Sequence, residues 1–215
     1  MRDDGSPCRM RIKSDLPPSD TFATMKLLFI GDSHLRRMLK MPEITSRHIL
    51  ARADIRLTFV IDKDHKRWPT DCELLLGAYT DVVVSLGTVH CRHPGTDWNT
   101  AAKRMAEEFD RLQRVLPDAR FYFAVPPPSQ SERISARIYL FGLLVKAKVG
   151  KSVIKIHPPS ALYTCEQDLA PFYAAPEEMG HDVREERKLH LNEAGMELWF
   201  TRIETVVTAH SRGSC

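Results

Sequence analysis

The sequence contains no long apolar run. None of its apolar runs reaches the roughly 18 residues that span a bilayer, and residues 1–24 lack the apolar stretch of a signal peptide. These absences exclude a membrane-spanning protein. We therefore expect a cytoplasmic protein, or a nuclear one, with no membrane partner.

The sequence also lacks paired cysteines. Its five cysteines are odd in number and scattered, and none forms the C-x-x-C spacing of a zinc or redox site. We expect free, reduced thiols at these positions, which are Cys8, Cys72, Cys91, Cys165 and Cys215.

An excess of charge of one sign is missing too. The 31 basic residues outnumber the 28 acidic ones by too little to indicate nucleic acid or a membrane surface as the partner. The remaining composition, with 43% hydrophobic and 27% charged residues, excludes a chain that is disordered throughout.

The length of 215 residues is sufficient for one α/β core and short for two. Residues 1–24 are polar and interrupted by prolines, which predicts a loosely ordered arm. We expect a single folded domain over residues 25–210. The sequence shows no internal repeats.

Five short apolar segments predict strands, at Lys26–Ile30, Ile55–Ile61, Asp81–Leu86, Arg120–Val125 and Val153–Ile156. A polar loop is expected between the second strand and the third. Helical spacing follows the first strand and recurs over Trp98–Val115, from Ser129 or Ser131 to about Lys148, and from Asn192 to roughly Thr208. Strands alternating with helices predict a three-layer α/β/α sandwich of the flavodoxin-like type, with a mainly parallel five-stranded sheet.

In such sheets ligands bind at the carboxyl ends of the strands, and the first strand ends in Gly31-Asp32-Ser33. A serine in the first turn of the following helix lies near free backbone N–H groups that stabilise developing negative charge. The alternative is that Asp32 or Ser33 only caps that helix. His190 precedes the last helix in a predicted loop, where an imidazole is exposed enough to act as a base.

The Gly31-Asp32-Ser33 turn and the segment Leu189-His190-Leu191-Asn192-Glu193-Ala194-Gly195 together resemble the SGNH hydrolases, also called GDSL-type esterases and lipases. The order of elements agrees with that family from about Met25 to Ala209. The resemblance implies a serine esterase or acetyl hydrolase that uses no metal or organic cofactor. It also implies that Ser33 is the nucleophile and His190 the base that takes its proton.

The acid of the family's triad does not match. It should stand three residues before the histidine, where this sequence has Arg187, a cation that would disfavour the imidazolium. A shifted acid, Glu186 or Asp182, and a serine–histidine pair without an acid are the alternatives.

The oxyanion hole of the family is also incomplete. Val89 stands in Gly87-Thr88-Val89 where the family has an asparagine. Residues 55–76 contain no glycine to supply the family's second donor, although another backbone N–H could serve. Because one lost donor costs about 10²–10³ in turnover, these departures put catalysis in doubt.

Five residues near the strand ends are the candidates for substrate contacts, namely Asp32, Gly87, His90, Asn99 and Arg36. His90 and His93 also have a spacing that suggests a metal pair. The sequence offers no second cluster of ligands for it, so we predict that no metal is bound.

A function of a different class fits the departures from the family. A catalytically degenerate SGNH-like domain, as in OSK-type and retroelement proteins, would bind protein or RNA. Cations on both sides of the presumed mouth could form a basic rim for such a partner, at Arg36, Arg37, Arg187 and Lys188. Ordinary solvent-facing charges are the alternative, and hydrolysis of a small acyl ester remains the preferred function.

Overall fold

The computed structural model describes residues 25–32, 34–35, 54–59, 68–88, 91, 95, 97–129, 132–163, 172–173 and 191–212. The arm predicted over residues 1–24 and the basic rim lie outside these residues.

Five strands form one parallel sheet: β1 (Lys26–Gly31), β2 (Asp54–Phe59), β3 (Asp81–Ser85), β4 (Arg120–Ala124) and β5 (Val153–Ile156). Their order across the sheet is β2-β1-β3-β4-β5. The predicted fold class, an α/β sandwich on a parallel five-stranded sheet, is confirmed, and this strand order is the flavodoxin-like one.

The helices are α1 (Asp71–Gly77), α2 (Trp98–Val115), α3 (Glu132–Lys148) and α4 (Glu193–Arg212), and a short 3-10 helix covers Ser160–Tyr163. His34 and Leu35 begin a helical segment after β1. The helical spacing predicted for α2, α3 and α4 is confirmed, and α4 runs beyond its expected end. Within the described residues, no helix combines the length and the apolar character needed to cross a bilayer.

The polar loop predicted between β2 and β3 was wrong in part, because α1 lies there. Its start is fixed by Thr70 and Glu73, each of which accepts a hydrogen bond from the other's backbone N–H, at 3.3 and 2.9 Å. A Thr-x-x-Glu capping box of this kind, followed by an apolar run, is a readable helix start. The sequence therefore carried the signal.

Successive residues of the strands point to opposite faces, which builds two cores. Leu28, Ile30, Val82 and Val84 pack on one face with α1, α2 and α3. Leu27, Phe29 and Val83 pack on the other with α4, whose Trp199 and Phe200 are fully buried. Since both faces are covered, the edge formed by the carboxyl ends of the strands remains as the place for a site.

Candidate active site

The topology of the sheet predicts a crevice between the carboxyl ends of β1 and β3. Strand order reverses there, so the chains that leave these two strands diverge and open a gap. Gly31 and Asp32 form one wall, and Gly87 and Thr88 form the other.

Gly31 allows the chain to turn tightly into the helix after β1. A Cβ on this residue would stand 2.7 Å from the Cβ of Leu35, which is buried in the turn that follows. The glycine therefore sets how closely that helix approaches the strand, and so where the residues between Gly31 and Leu35 lie.

Gly87 shapes the opposite wall. Its φ of +130° is a conformation that favours glycine, and a Cβ there would overlap the ring of Phe141 from α3. The carbonyl of Gly87 then accepts a hydrogen bond from the Cys91 N–H at 3.1 Å. Thr88, which follows Gly87 in this turn, is buried.

Asp32 and His34 form a buried pair on either side of the Ser33 position. Asp32 Oδ1 accepts a hydrogen bond from the His34 backbone N–H at 3.1 Å and lies 3.3 Å from His34 Nδ1. Burial opposes ionisation of Asp32, but the contacts with His34 outweigh it and hold the pKa of the carboxyl below its ordinary value. Asp32 is therefore an anion at neutral pH.

The second oxygen of Asp32 is available to a further donor. Asp32 Oδ2 and Thr88 Oγ1 are both buried, and neither has a hydrogen-bond partner among the described residues. The Thr88 hydroxyl lies near enough to help lower the pKa of Asp32, yet the two atoms do not reach hydrogen-bond geometry. Because an unpaired buried acceptor is costly, this arrangement is typical of a site that receives a donor.

His34 is a member of the site that the sequence analysis missed. Its ring is buried, with its centroid 6.1 Å from that of Trp199 in an edge-on contact. It therefore supports Asp32 from the core and does not face solvent. The only sequence signal was its place directly after Ser33.

The loop after β4 is fixed by Ser135 of α3. The Ser135 hydroxyl donates to the Ser129 carbonyl at 2.7 Å and accepts from the Ser129 N–H at 3.0 Å. Ser129 is therefore not the N-cap of α3, which begins only at Glu132. The Tyr173 hydroxyl donates to the Pro128 carbonyl at 2.5 Å and ties this loop to the segment before α4.

The start of α4 determines where the chain leaves the His190 position. Asn192 Oδ1 accepts from the Gly195 N–H at 3.0 Å, which caps the helix. A Cβ on Gly195 would overlap the carbonyl of Phe172, and that same carbonyl accepts from the Asn192 N–H at 3.0 Å. Asn192 and Gly195 thus hold this chain against a neighbouring segment.

The residues next to Ser33 and His190 share one core. Leu35, two positions after Ser33, and Leu191, directly after His190, both belong to the cluster around Trp199. The two chain segments thus pack on the same face of the sheet.

Of the predicted site residues, Asp32 and Gly87 lie at the crevice. Asn99 lies in the first turn of α2, where its side chain is exposed and its N–H donates to Asp97 Oδ1 at 3.0 Å. The other predicted site residues lie outside the described residues and stay predictions: Ser33, His190, Glu186, Asp182, His90 and Arg36. The described residues contain no cluster of three or more possible metal ligands.

No protein-family model matches the chain, and no curated protein sequence matches it either. Solved structures do match. A protein from Slackia heliotrinireducens, named as a candidate SGNH hydrolase, aligns with a TM-score of 0.61 and 17% identity over 85% of this chain and 98% of its own.

Two esterase structures are similar to the chain as well. The acetyl xylan esterase AlAXEase aligns with a TM-score of 0.59 and 14% identity over 85% of this chain and 100% of its own. A family 3 carbohydrate esterase from Talaromyces cellulolyticus aligns with a TM-score of 0.56 and 12% identity over 89% and 100%. At these identities the likeness shows the fold, and the chain has an SGNH hydrolase-like fold.

Proposed function

We propose that the chain is a serine ester hydrolase that cleaves a small acyl ester, with an acetyl ester as the first candidate. The observation that carries this proposal is the pair of buried oxygens next to the strand-order reversal, Asp32 Oδ2 and Thr88 Oγ1, which have no hydrogen-bond partner among the described residues. The acetyl xylan esterase among the similar structures supports the choice of acyl group.

Ser33 is the proposed nucleophile. Its neighbours in the chain support this choice, because Asp32 directly follows β1 and His34 and Leu35 are helical. Its hydroxyl would attack the acyl carbonyl while the base removes its proton. The protonated base gives this proton to the alcohol oxygen as its bond to the acyl carbon breaks. Water, deprotonated by the same base, then attacks the acyl-enzyme, and the serine oxygen leaves and takes the proton back, releasing the acid.

His190 is the proposed base, and the burial of His34 favours this choice. His34 is the nearest histidine to Ser33 in the sequence, but its ring packs on Trp199 in the core and is closed to substrate. His190 precedes Leu191, whose buried side chain anchors the start of α4. Glu186 and Asp182 are the proposed acids that orient the imidazole.

Asp32 is proposed as a substrate-side acceptor. Its carboxylate is held in place by His34, and Oδ2 is buried without a partner among the described residues. A donor on the substrate or an ordered water would complete its hydrogen bonds. Backbone N–H groups of the Ser33 and Gly87–Thr88 turns are the candidate oxyanion donors, since Val89 offers no side-chain amide.

A hydrolysis assay with an activated acetyl ester tests the proposal. Ser33→Ala should reduce turnover by at least about a thousandfold, because the covalent route is lost. Ser129→Ala is the matched control, since its hydroxyl also follows a strand of the same sheet. Equal rates for wild type and Ser33→Ala would remove Ser33 from the reaction.

A second candidate function is a non-catalytic domain that binds protein or RNA through the basic rim. Val89 and Arg187, which replace the family's oxyanion asparagine and its acid, favour this alternative. It predicts no hydrolysis by the wild type and salt-sensitive binding of RNA that charge reversal at Arg36 and Arg37 removes.

A further inference from the structure

Helix α3 is apolar on both of its sides. Its inward side carries a buried stripe, formed by Ile134, Ile138, Phe141 and Val145 and continued by Val149 just after the helix. Its outward side carries Tyr139, Leu140 and Leu143, which are 47%, 48% and 41% exposed. A helix that covers a core on one side normally presents polar residues on the other. The exposed apolar residues on the outward side of α3 therefore require an explanation.

The neighbouring helix α2 shows the ordinary pattern. It packs on the same face of the sheet, and its exposed positions are polar or charged, as at Asn99, Lys103, Glu107, Asp110 and Arg114. The apolar outward side is therefore a property of α3 and not of the whole layer. We define the α3 face as Ala136, Tyr139, Leu140, Leu143 and Ala147.

Positive charge is concentrated around the α3 face. From the start of α3 to Tyr163, residues 132–163 contain six cations and one acidic residue, Glu132, a net charge of +5, whereas the rest of the chain carries a net charge of −2. The cations are Arg133, Arg137, Lys146, Lys148, Lys151 and Lys155. Arg133, Lys148 and Lys151 are exposed. The whole-chain charge of +3 conceals this local excess.

The cations crowd one another at the β5 end of the face. Burial and the neighbouring Lys146 lower the pKa of Lys155. Burial, Lys155 and Arg202 likewise lower the pKa of His157. Among the described residues, neither Lys155 nor Arg202 forms an ion pair with an acid. An anionic surface nearby would relieve this repulsion.

The face continues into a cavity of about 400 Å³ at the carboxyl end of β5, lined by Ser135, Ala136, Tyr139, His157 and Tyr163. Tyr163, from the 3-10 helix, adds a second half-exposed phenol beside Tyr139. Tyrosines of this kind combine an apolar ring with a polar tip and are favoured where lipid meets water.

We propose that the α3 face docks on an anionic lipid bilayer, with its leucines and tyrosines in the headgroup layer and its cations on the lipid phosphates. Exposed leucines within a cationic border fit such a surface. The proposal departs from the expectation of no membrane partner, which rested on the whole-chain charge and the lack of long apolar runs. It does not depend on ester hydrolysis.

Two other occupants fit the observations less well. Single-stranded RNA would use the cations and the tyrosines but offers nothing to Leu140 and Leu143. A second copy that paired through the same face would place one set of cations against the other. Both are outcomes that the experiment separates.

Exposed leucines alone do not make such a surface, and α1 provides the comparison. Leu75 and Leu76 are 61% and 86% exposed, but their helix begins with Asp71 and Glu73 and has no cation in its last turn. We therefore expect no contribution of these leucines to binding an anionic bilayer.

Vesicle flotation with the full chain tests the proposal. The chain should float with vesicles of mixed phosphatidylcholine and phosphatidylserine and not with phosphatidylcholine alone. Lys148→Glu combined with Lys151→Glu should weaken binding at least about 25-fold, given about fivefold for each of the two cations removed. Lys103→Glu with Arg114→Glu makes the same charge change on α2 and should leave binding nearly unchanged.

The apolar contribution has its own pair of variants. Leu140→Ser with Leu143→Ser should weaken vesicle binding about tenfold, and Leu75→Ser with Leu76→Ser should not. Thermal melting checks that each variant is folded, and Ser33→Ala should float as the wild type does. Vesicle binding by Ser33→Ala together with its loss of hydrolysis separates the two proposals.

Three results would overturn the inference. The first is equal flotation with neutral and anionic vesicles, and the second is equal weakening by the α2 and α3 charge variants. The third is binding of labelled single-stranded RNA, or self-association in sedimentation, that the α3 variants abolish while no vesicles are bound. The third result would assign the face to nucleic acid or to a second copy.

Discussion

Two buried aspartates lie at opposite ends of the parallel strands, and their surroundings differ. Asp81 begins β3, and both of its oxygens are paired: Arg120 donates to each of them at 2.8 Å, Tyr122 to Oδ1 at 3.1 Å and Thr80 to Oδ2 at 2.8 Å. Asp32 follows β1 at the opposite edge, and its Oδ2 has no partner among the described residues.

The difference distinguishes an edge of the sheet whose polar groups stabilise the fold, the structural edge, from the edge at which we propose the active site. Asp81 joins the starts of β3 and β4, and Thr80 beside it bonds to Lys26 at the start of β1. Every donor there is a residue of the sheet or its border, so the network can only stabilise the fold. At Asp32 the protein supplies an anion and leaves one acceptor open, as a site that takes a ligand requires.

The largest expected effect lies at the structural edge. Arg120→Ala leaves the fully buried Asp81 carboxylate without its cation and should lower the free energy of unfolding by about 3–5 kcal/mol. Urea unfolding measures it. Turnover per folded molecule should be unchanged, because the pair lies at the far end of the strands from the crevice.

Adding Asp81→Asn to Arg120→Ala should recover part of that stability, since no unpaired charge remains. A double variant as unstable as Arg120→Ala, or a loss of turnover in folded protein, would contradict the division into two edges.

The next effect is at the wall of the crevice. Gly87→Ala must adopt a φ unfavourable to an L residue and overlap Phe141, and should cost about 1–3 kcal/mol of stability. Unlike Arg120→Ala, it should also reduce turnover in the fraction that remains folded, because it displaces Thr88. Gly95→Ala is the matched control, since Gly95 also has a positive φ, +87°, but open space around its Cβ position, so it tests the backbone strain without the overlap. Retained turnover would separate Gly87 from the site.

Asp32→Asn should reduce turnover more than stability, the opposite of the effect expected for Arg120→Ala. It keeps the shape of the side chain but removes the charge, and we expect kcat/KM to fall about tenfold, as for a lost hydrogen bond to a charged group. Steady-state kinetics with an activated acetyl ester measure it. A stability loss as large as that of Arg120→Ala, with kcat/KM unchanged, would make Asp32 a second structural aspartate.

The smallest expected effect is a change in stability at low pH. The contacts with His34 hold the pKa of Asp32 below 3.8, so its ionised form stabilises the fold above that pH and the contribution is lost as pH falls through the folded-state pKa. The stability difference between wild type and Asp32→Asn should therefore shrink on going from neutral pH to about pH 3. Thermal midpoints at both pH values test this, and a difference that grows in acid would contradict it.

The sequence predicted the edge of the sheet at which the proposed site lies but not the contacts that build this edge. Alternating apolar segments were sufficient for the sheet, and Gly31 and Gly87 marked two strand ends. The burial of His34 against Trp199 depends on a contact between residues far apart in the sequence, which periodicity does not show. The capping box of α1 can be recognised in the sequence at Thr70 and Glu73. The exposure of the apolar outward side of α3 cannot, because a helix with apolar residues on both sides is normally predicted to be buried.

Covalent labelling tests the central claim most directly, that the open edge beside Asp32 carries a serine nucleophile. The wild type is treated with an alkyl fluorophosphonate, which traps activated serines, and digested for mass spectrometry. We predict one adduct per chain, on the peptide that contains Ser33, lost in Ser33→Ala and in His190→Ala and retained in Arg120→Ala that is still folded. No adduct on that peptide, or equal labelling of Ser33→Ala, would contradict the account.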